Sequence, residues 1–127
     1  YYPVDEWTLD YMRQVKEILD QHGTKLLMVS APNPLNWTTS KHNTLQEWCD
    51  QNNVTYIDYN LKPEELNINW LTDSRDGGDH LNYSGSVKFI NVLGKYLQEN
   101  YELTDHRNDP AYTKWNEDYK SIFGGAQ

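Results

Sequence analysis

Apolar positions fall into two rhythms along this chain, and the rhythm changes where the structure is expected to change. Trp7, Tyr11, Val15, Ile18 and Leu19 recur at helical spacing after Asp5, a residue type that caps helices, and before Gly23, which can end one. The pattern predicts a helix over residues 5–22. Residues 25–30 (KLLMVS) form a short continuous apolar run between Gly23 and the prolines of Ala31-Pro32-Asn33-Pro34, which fits a strand buried on both faces. Thr38 or Thr39 can then cap a second helix, in which Leu45, Trp48 and Cys49 share a face and Asn52-Asn53 closes the end. Residues 54–59 (VTYIDY) read as a second strand. Strand, helix and strand at this spacing predict a βαβ unit with parallel strands and a right-handed crossover.

Residues 60–72 contain Pro63 and no clean period, so short helical turns are expected. From residue 86 to 101 the helical period returns at Ile90, Leu93, Leu97 and Tyr101, with Gly94 available for close packing. Residues 103–127 are polar with scattered aromatics (Tyr112, Trp115, Tyr119, Phe123), and read as a tail packed on the body with a frayed end. The expected fold class is α/β, a short parallel sheet with flanking helices, in a single domain covering residues 1–127.

Composition narrows the function. Eleven Lys and Arg against 19 Asp and Glu give a formal charge of −8. No basic run supplies the phosphate-neutralising surface that nucleic-acid binding needs, so nucleic acid is excluded as a partner. Mean hydropathy is −0.91, and no apolar run approaches the ~18 residues of a membrane span. Cys49 is the single cysteine, which rules out an intrachain disulfide and points to packing on a helix face. The start at Tyr1-Tyr2-Pro3 carries no signal-peptide pattern and reads as the middle of a longer protein.

Candidate chemistry concentrates in Asp73-Ser74-Arg75-Asp76-Gly77-Gly78-Asp79-His80-Leu81-Asn82-Tyr83-Ser84-Gly85. Gly77-Gly78 permits backbone angles that let a flanking acid fold back toward the imidazole, and Asn82 or Ser84 can cap the following helix. A carboxylate that orients a histidine is the base-and-orienter portion of a nucleophile, histidine and acid arrangement. In parallel α/β sheets ligands bind beyond the carboxyl ends of the strands, so the loops at Asn33, at Asp58 and Asn60, and at His80 are expected on one edge. Asn33, Asn60 and Asn82 are the candidate substrate-binding side chains, with satisfaction of local backbone as the competing reading. His22, His42 and His106 have no comparable setting; His22 suits a helix carboxyl terminus and the others look exposed. Asp73, Asp76 and Asp79 recur every third residue beside His80, a spacing that does not match a calcium loop, and no metal or cofactor is expected. Asn36, Asn53 and Asn82 open Asn-x-Ser/Thr triplets, read as coincidence in an Asn-rich chain.

The strand leading to a Pro-containing loop, the helix, the second strand ending in Asp58-Tyr59-Asn60, and Asp76-Gly77-Gly78-Asp79-His80-Leu81-Asn82 ahead of Gly85 together resemble the C-terminal half of bacterial SGNH/GDSL-type hydrolases. The likeness is nearest to the extracytoplasmic DHHW group related to polysaccharide O-acetylation enzymes, and covers about residues 5–115. It implies a three-layer flavodoxin-like fold, of which this chain is the C-terminal portion, and an extracytoplasmic or cell-surface location. It also implies an esterase or O-acyltransferase acting on acylated carbohydrate, with His80 as general base and a preceding Asp as its orienter. The family's acid stands three residues before the histidine, where this chain has Gly77; Asp76 takes the role, with Asp79 as the alternative. The Gly-x-Ser nucleophile turn and the oxyanion-donor blocks have no counterpart here, since Ser30, Ser40, Ser74, Ser84, Ser86 and Ser121 do not lie in such turns. The nucleophile is then expected upstream in a longer enzyme, and the isolated chain is expected to self-associate or to need that missing half.

The competing function class is a non-catalytic carbohydrate-binding or interaction module. Five Trp and ten Tyr supply flat faces. Trp7, Tyr11, Trp48 and Tyr101 lie at helical core spacing and read as packing, which leaves Trp37, Trp70 and Trp115 as loop-placed platforms.

Overall fold

A computed structural model describes residues 1–124. The frayed terminus expected of the 103–127 tail falls on residues outside the described ones. The first helix, α1, spans Glu6–Gln21. Asp5 stands at its N-cap without a side-chain hydrogen bond, and Gly23 ends it at φ +66°, a left-handed angle that glycine adopts without strain. Strand β1 is Leu27–Ser30, helix α2 is Thr39–Gln51, and strand β2 is Thr55–Asp58. Of the two threonines able to cap α2, Thr38 does so, its hydroxyl accepting from the Lys41 amide. The two strands pair in parallel, with Leu27 opposite Thr55 and Ser30 opposite Asp58. The chain is therefore mixed α/β, built on a two-stranded parallel sheet with flanking helices.

Residues 60–72 form short turns as expected: a 3₁₀ turn at Tyr59–Leu61 and the one-turn helix α3, Pro63–Leu66. Helix α4 runs from Tyr83 to Asn100, starting three residues before the expected Ser86. The early start follows from capping, because Asn82 Oδ1 accepts from the Gly85 amide at 3.1 Å. The chain divides into two compact units, Tyr1–Val92 and a second that begins at Leu93. Within the second unit, the segment read as a polar tail is largely helical, with a 3₁₀ turn at Pro110–Tyr112 and α5 at Thr113–Phe123. Gly94 serves no close packing, since a methyl group there would meet nothing within 4 Å. Among the described residues no helix is long and apolar enough to cross a membrane.

The core of the first unit gathers Trp48, Cys49 and Val54, against which Leu9, Met12, Leu26, Met28 and Tyr56 pack. Cys49 is fully buried with its Sγ 3.5 Å from Met28 Sδ, and burial pushes the thiol up to about 11, which makes it a packing group rather than a nucleophile. Helix α1 departs from expectation. Leu9 and Met12 face the core, while Trp7 and Tyr11, each 62% exposed, stand outside with Val15 and Ile18. Two strands offer too narrow a surface to cover both flanks of so wide an apolar stripe.

Candidate functional site

The His80 loop is closed at its base by an isolated antiparallel bridge between Ser74 and Leu81, with the Arg75 amide donating to the His80 carbonyl at 2.9 Å. Ser74 Oγ accepts from the Asp76 and Gly78 amides and holds the turn. Gly77 and Gly78 sit at φ +75° and +135°, where a side chain would be strained, so this bend depends on glycine. The fold-back it permits is the one the sequence implies. Asp76 Oδ1 accepts from the Asp79 amide at 3.0 Å and the His80 amide at 2.8 Å, and its Oδ2 lies 2.6 Å from His80 Nδ1.

Of the two acids weighed as partners of His80, Asp76 makes the hydrogen bond. Asp79 Oδ2 lies at 3.5 Å from Nδ1, beyond a good hydrogen bond, and the same carboxylate is committed elsewhere: its Oδ1 accepts from Asn33 Nδ2 at 2.9 Å and from Asn36 Nδ2. The bond from Asp76, reinforced by the charges of Asp79 and Asp76, holds the His80 pKa above its ordinary value. The His80 bond likewise holds the Asp76 carboxyl well below the usual carboxylate range. A carboxylate on Nδ1 fixes the tautomer and leaves Nε2 to take a proton. The imidazole is open to solvent, with 69% of its side chain exposed.

Asp73 has a different task. It is buried, with its carboxylate 2.6 Å from Lys88 Nζ, 2.7 Å from Ser84 Oγ and 2.8 Å from the Asn69 amide. These bonds, that from Lys88 first, bring its carboxyl down to about 2. Ser84 therefore ties the loop to α4 rather than capping the helix. Gly85 completes the joint, because a methyl group there would fall 2.2 Å from the Asp73 carbonyl oxygen.

The loop after β1 meets the His80 loop through Asn33 and Asn36, and the loop after β2 is tied to the β1 exit loop through Asn60. An open hollow of about 700 Å³ is lined by Ser30 at the end of β1, by Pro32 and Asn33 beyond it, by Trp37, and by Asp79 and His80 among others. Gly78 fits against the β1 exit loop, where a methyl group would come 3.2 Å from Pro34 Cγ. Of the three asparagines expected to contact substrate, all are bonded within the chain. Asn33 Oδ1 accepts from the Asn36 amide while its Nδ2 holds Asp79. Asn60 Oδ1 accepts from the Asn33 amide at 2.6 Å, and its Nδ2 donates to the Ala31 carbonyl and to Asp58. Asn82 Nδ2 donates to the Thr72 carbonyl at 2.7 Å. These side chains hold three loops in register.

A second histidine–aspartate pair escaped the sequence. His42, expected to be exposed, has Nδ1 2.9 Å from Asp58 Oδ2, with 18% of the histidine side chain and 1% of the aspartate side chain exposed. Trp37 Nε1 donates to the same oxygen at 2.7 Å, and the imidazole stacks on Tyr56, whose hydroxyl lies 2.8 Å from Ser30 Oγ. Burial by itself would raise the Asp58 carboxyl; hydrogen bonds from the Asn60 side chain and amide, Trp37 and His42 outweigh it and lower it. Burial also pushes the Tyr56 hydroxyl up to about 12. The available signal was the spacing of His42 on the inner side of α2, three residues before Leu45.

One oxygen or nitrogen from each of Asp76, Asp79 and His80 falls within 4.8 Å of the others. Asp73, the third acid of the sequence pattern, is not in this group, being paired with Lys88. No serine hydroxyl is bonded to His80 among the described residues, although Ser30 and Ser86 line the same hollow. The chain matches no known protein family, no curated protein and no solved structure.

Proposed function

We propose that this chain is the histidine-bearing C-terminal portion of an SGNH/GDSL-type esterase or O-acyltransferase of the extracytoplasmic space, acting on acylated carbohydrate. The complete enzyme in this reading has the three-layer flavodoxin-like fold. The observation that carries it is the 2.6 Å bond between Asp76 and His80 Nδ1, in a loop seated against the β1 exit loop. In such a site His80 Nε2 removes the proton of a serine hydroxyl as its oxygen attacks the acyl carbonyl. The tetrahedral adduct collapses to an acyl-serine, and the departing sugar oxygen takes the proton from His80. Water, or an acceptor hydroxyl, then returns the serine by the same steps in reverse. Asp76 stays ionised throughout and steadies the imidazolium.

This reading requires a serine and oxyanion donors from outside these 127 residues. Two features fit the arrival of such a half. Each strand of a two-stranded sheet keeps an open edge, and beside β1 an apolar groove of about 300 Å³ is lined by Trp7, Tyr11, Val15, Leu26, Met28 and Trp48. Without that half the chain is expected to associate with itself, which light scattering over a concentration series would register; a stable monomer throughout would count against the incomplete surface.

The test is hydrolysis of p-nitrophenyl acetate. The 127-residue chain should stay at the background of an exposed imidazole, and the protein that includes the nucleophile-bearing half should turn over. Turnover by the chain alone that survives replacement of His80 would remove the reading. The alternative, a non-catalytic carbohydrate module, predicts glycan binding without turnover in either form.

A further inference from the structure

A second hollow adjoins the one that His80 lines, and its chemistry differs. It encloses about 260 Å³, and its walls include Pro32, Pro34, Trp37, Tyr59, Asn60 and Trp70. Pro32 and Trp37 belong to both hollows, so the two share a wall. No Asp, Glu, Lys, Arg or His lines this cleft. A charged ligand would lose its hydration there without gaining a counter-ion, so the occupant is uncharged. The volume lies just below the ~300–1,000 Å³ of drug-sized ligand sites, which limits it to about one ring.

The aromatic walls say which kind of ring. An indole face is electron-rich, and it attracts a surface of C–H bonds that carry small positive charges. Both faces of a pyranose present such bonds, while its hydroxyls project at the rim toward solvent and toward Thr38 and Thr39, which also line the cleft. Trp37 is prepared for this contact. Its Nε1 is tied to Asp58, which is itself fixed by Asn60 and His42, so the ring is oriented before any ligand arrives and binding costs little side-chain entropy.

We propose that the cleft lined by Trp37 and Trp70 binds one uncharged sugar ring of the acylated carbohydrate, leaving the esterified hydroxyl at the shared wall, next to His80. The position of the ester rests on the hydrolase reading; the affinity for an uncharged sugar does not. Trp37 and Trp70 are binding residues in this scheme, and Asp58 and Asn60 position Trp37.

The experiment reads binding without turnover. The 127-residue chain is titrated with the neutral tetramers of glucose, xylose and N-acetylglucosamine, with an oligoalginate and with decaproline, while the indole N–H resonances are followed by NMR. Trp37→Phe and Trp70→Phe assign those two signals. At least one neutral tetramer should shift both, with a Kd below about 10 mM, and Trp70→Ala should weaken it about tenfold or more. Circular dichroism and the unmoved resonances of Trp7 and Trp48 check that the variant is folded. Tighter binding of the oligoalginate, shifts produced by decaproline alone, no response to any neutral tetramer, or full affinity in Trp70→Ala would each overturn the proposal. Sugar binding retained in a longer protein that lacks esterase activity would sink the ester reading and leave this one standing.

Discussion

Two histidines meet aspartates through Nδ1 near the same end of the sheet, and they share little else. His80 and Asp76 are four residues apart in one turn, and both are open to solvent. His42 and Asp58 come from α2 and the end of β2, and the carboxylate is closed in by Trp37 and Asn60. Similar distances, 2.6 and 2.9 Å, therefore conceal different work. A base that moves protons for a substrate must be reachable, whereas a bond that fixes two elements is strongest when water cannot compete for it.

The largest effect that separates the pairs is on catalysis. If the proposed esterase reading holds, His80→Ala in the longer protein should lower kcat by at least about a thousandfold, because a triad without its base keeps only oxyanion and binding contributions. His42→Ala, compared at matched folding by circular dichroism, should lower kcat by less than about tenfold. Equal losses would abolish the distinction. Stability should invert the order. Asp58→Ala strands the donors of Trp37, His42 and Asn60 and should cost about 3 kcal/mol or more in urea unfolding, while Asp76→Ala, at an exposed turn, should cost clearly less in the same measurement. A larger loss at Asp76 than at Asp58 would mean that the exposed pair is the structural one.

Smaller effects come from protonation. His80 should titrate above its ordinary value by NMR, and Asp76→Asn should bring it down, since the carboxylate is the main cause of the shift. A histidine raised on folding adds stability below its unfolded pKa and loses it as pH rises through the folded value. Under the proposed esterase reading, in which His80 acts as a neutral base, activity should rise across that same pH range. Asp73 behaves in the opposite sense. Its carboxyl is lowered to about 2, so its contribution is present above the unfolded pKa, near 4, and is lost as pH falls toward 2. Lys88→Met should shrink that acid-labile part of the stability, measured as the difference between urea midpoints at pH 5 and pH 2.5; an unchanged difference would show that the ion pair does not anchor the loop.

The parallel βαβ unit, the turns after β2 and the Asp76–His80 bond were legible because each depends on neighbours in sequence: helical period, paired prolines, two glycines beside an acid. His42 was not legible, because its partner lies sixteen residues away and nothing near it in the sequence marks a buried acid. The loop bonds of the asparagines were hidden for the same reason. Asn33 and Asn60 look available in sequence, yet each spends its amide on a loop more than twenty residues distant. On α1 the period was read correctly and the burial was not, since the period gives a helix's apolar face and the width of the sheet decides how much of it is covered.

The bonds from Asn33 and Asn36 to Asp79 span 46 and 43 residues. Closing so long a loop is unfavourable until both ends already have a surface to settle on. During refolding the local turn that joins Asp76 to His80 can form early, but its placement against the β1 exit loop has to wait for the strands to pair. Loop closure therefore predicts that the site is assembled late in folding, with the imidazole bonded to its partner before it takes its place beside the sheet.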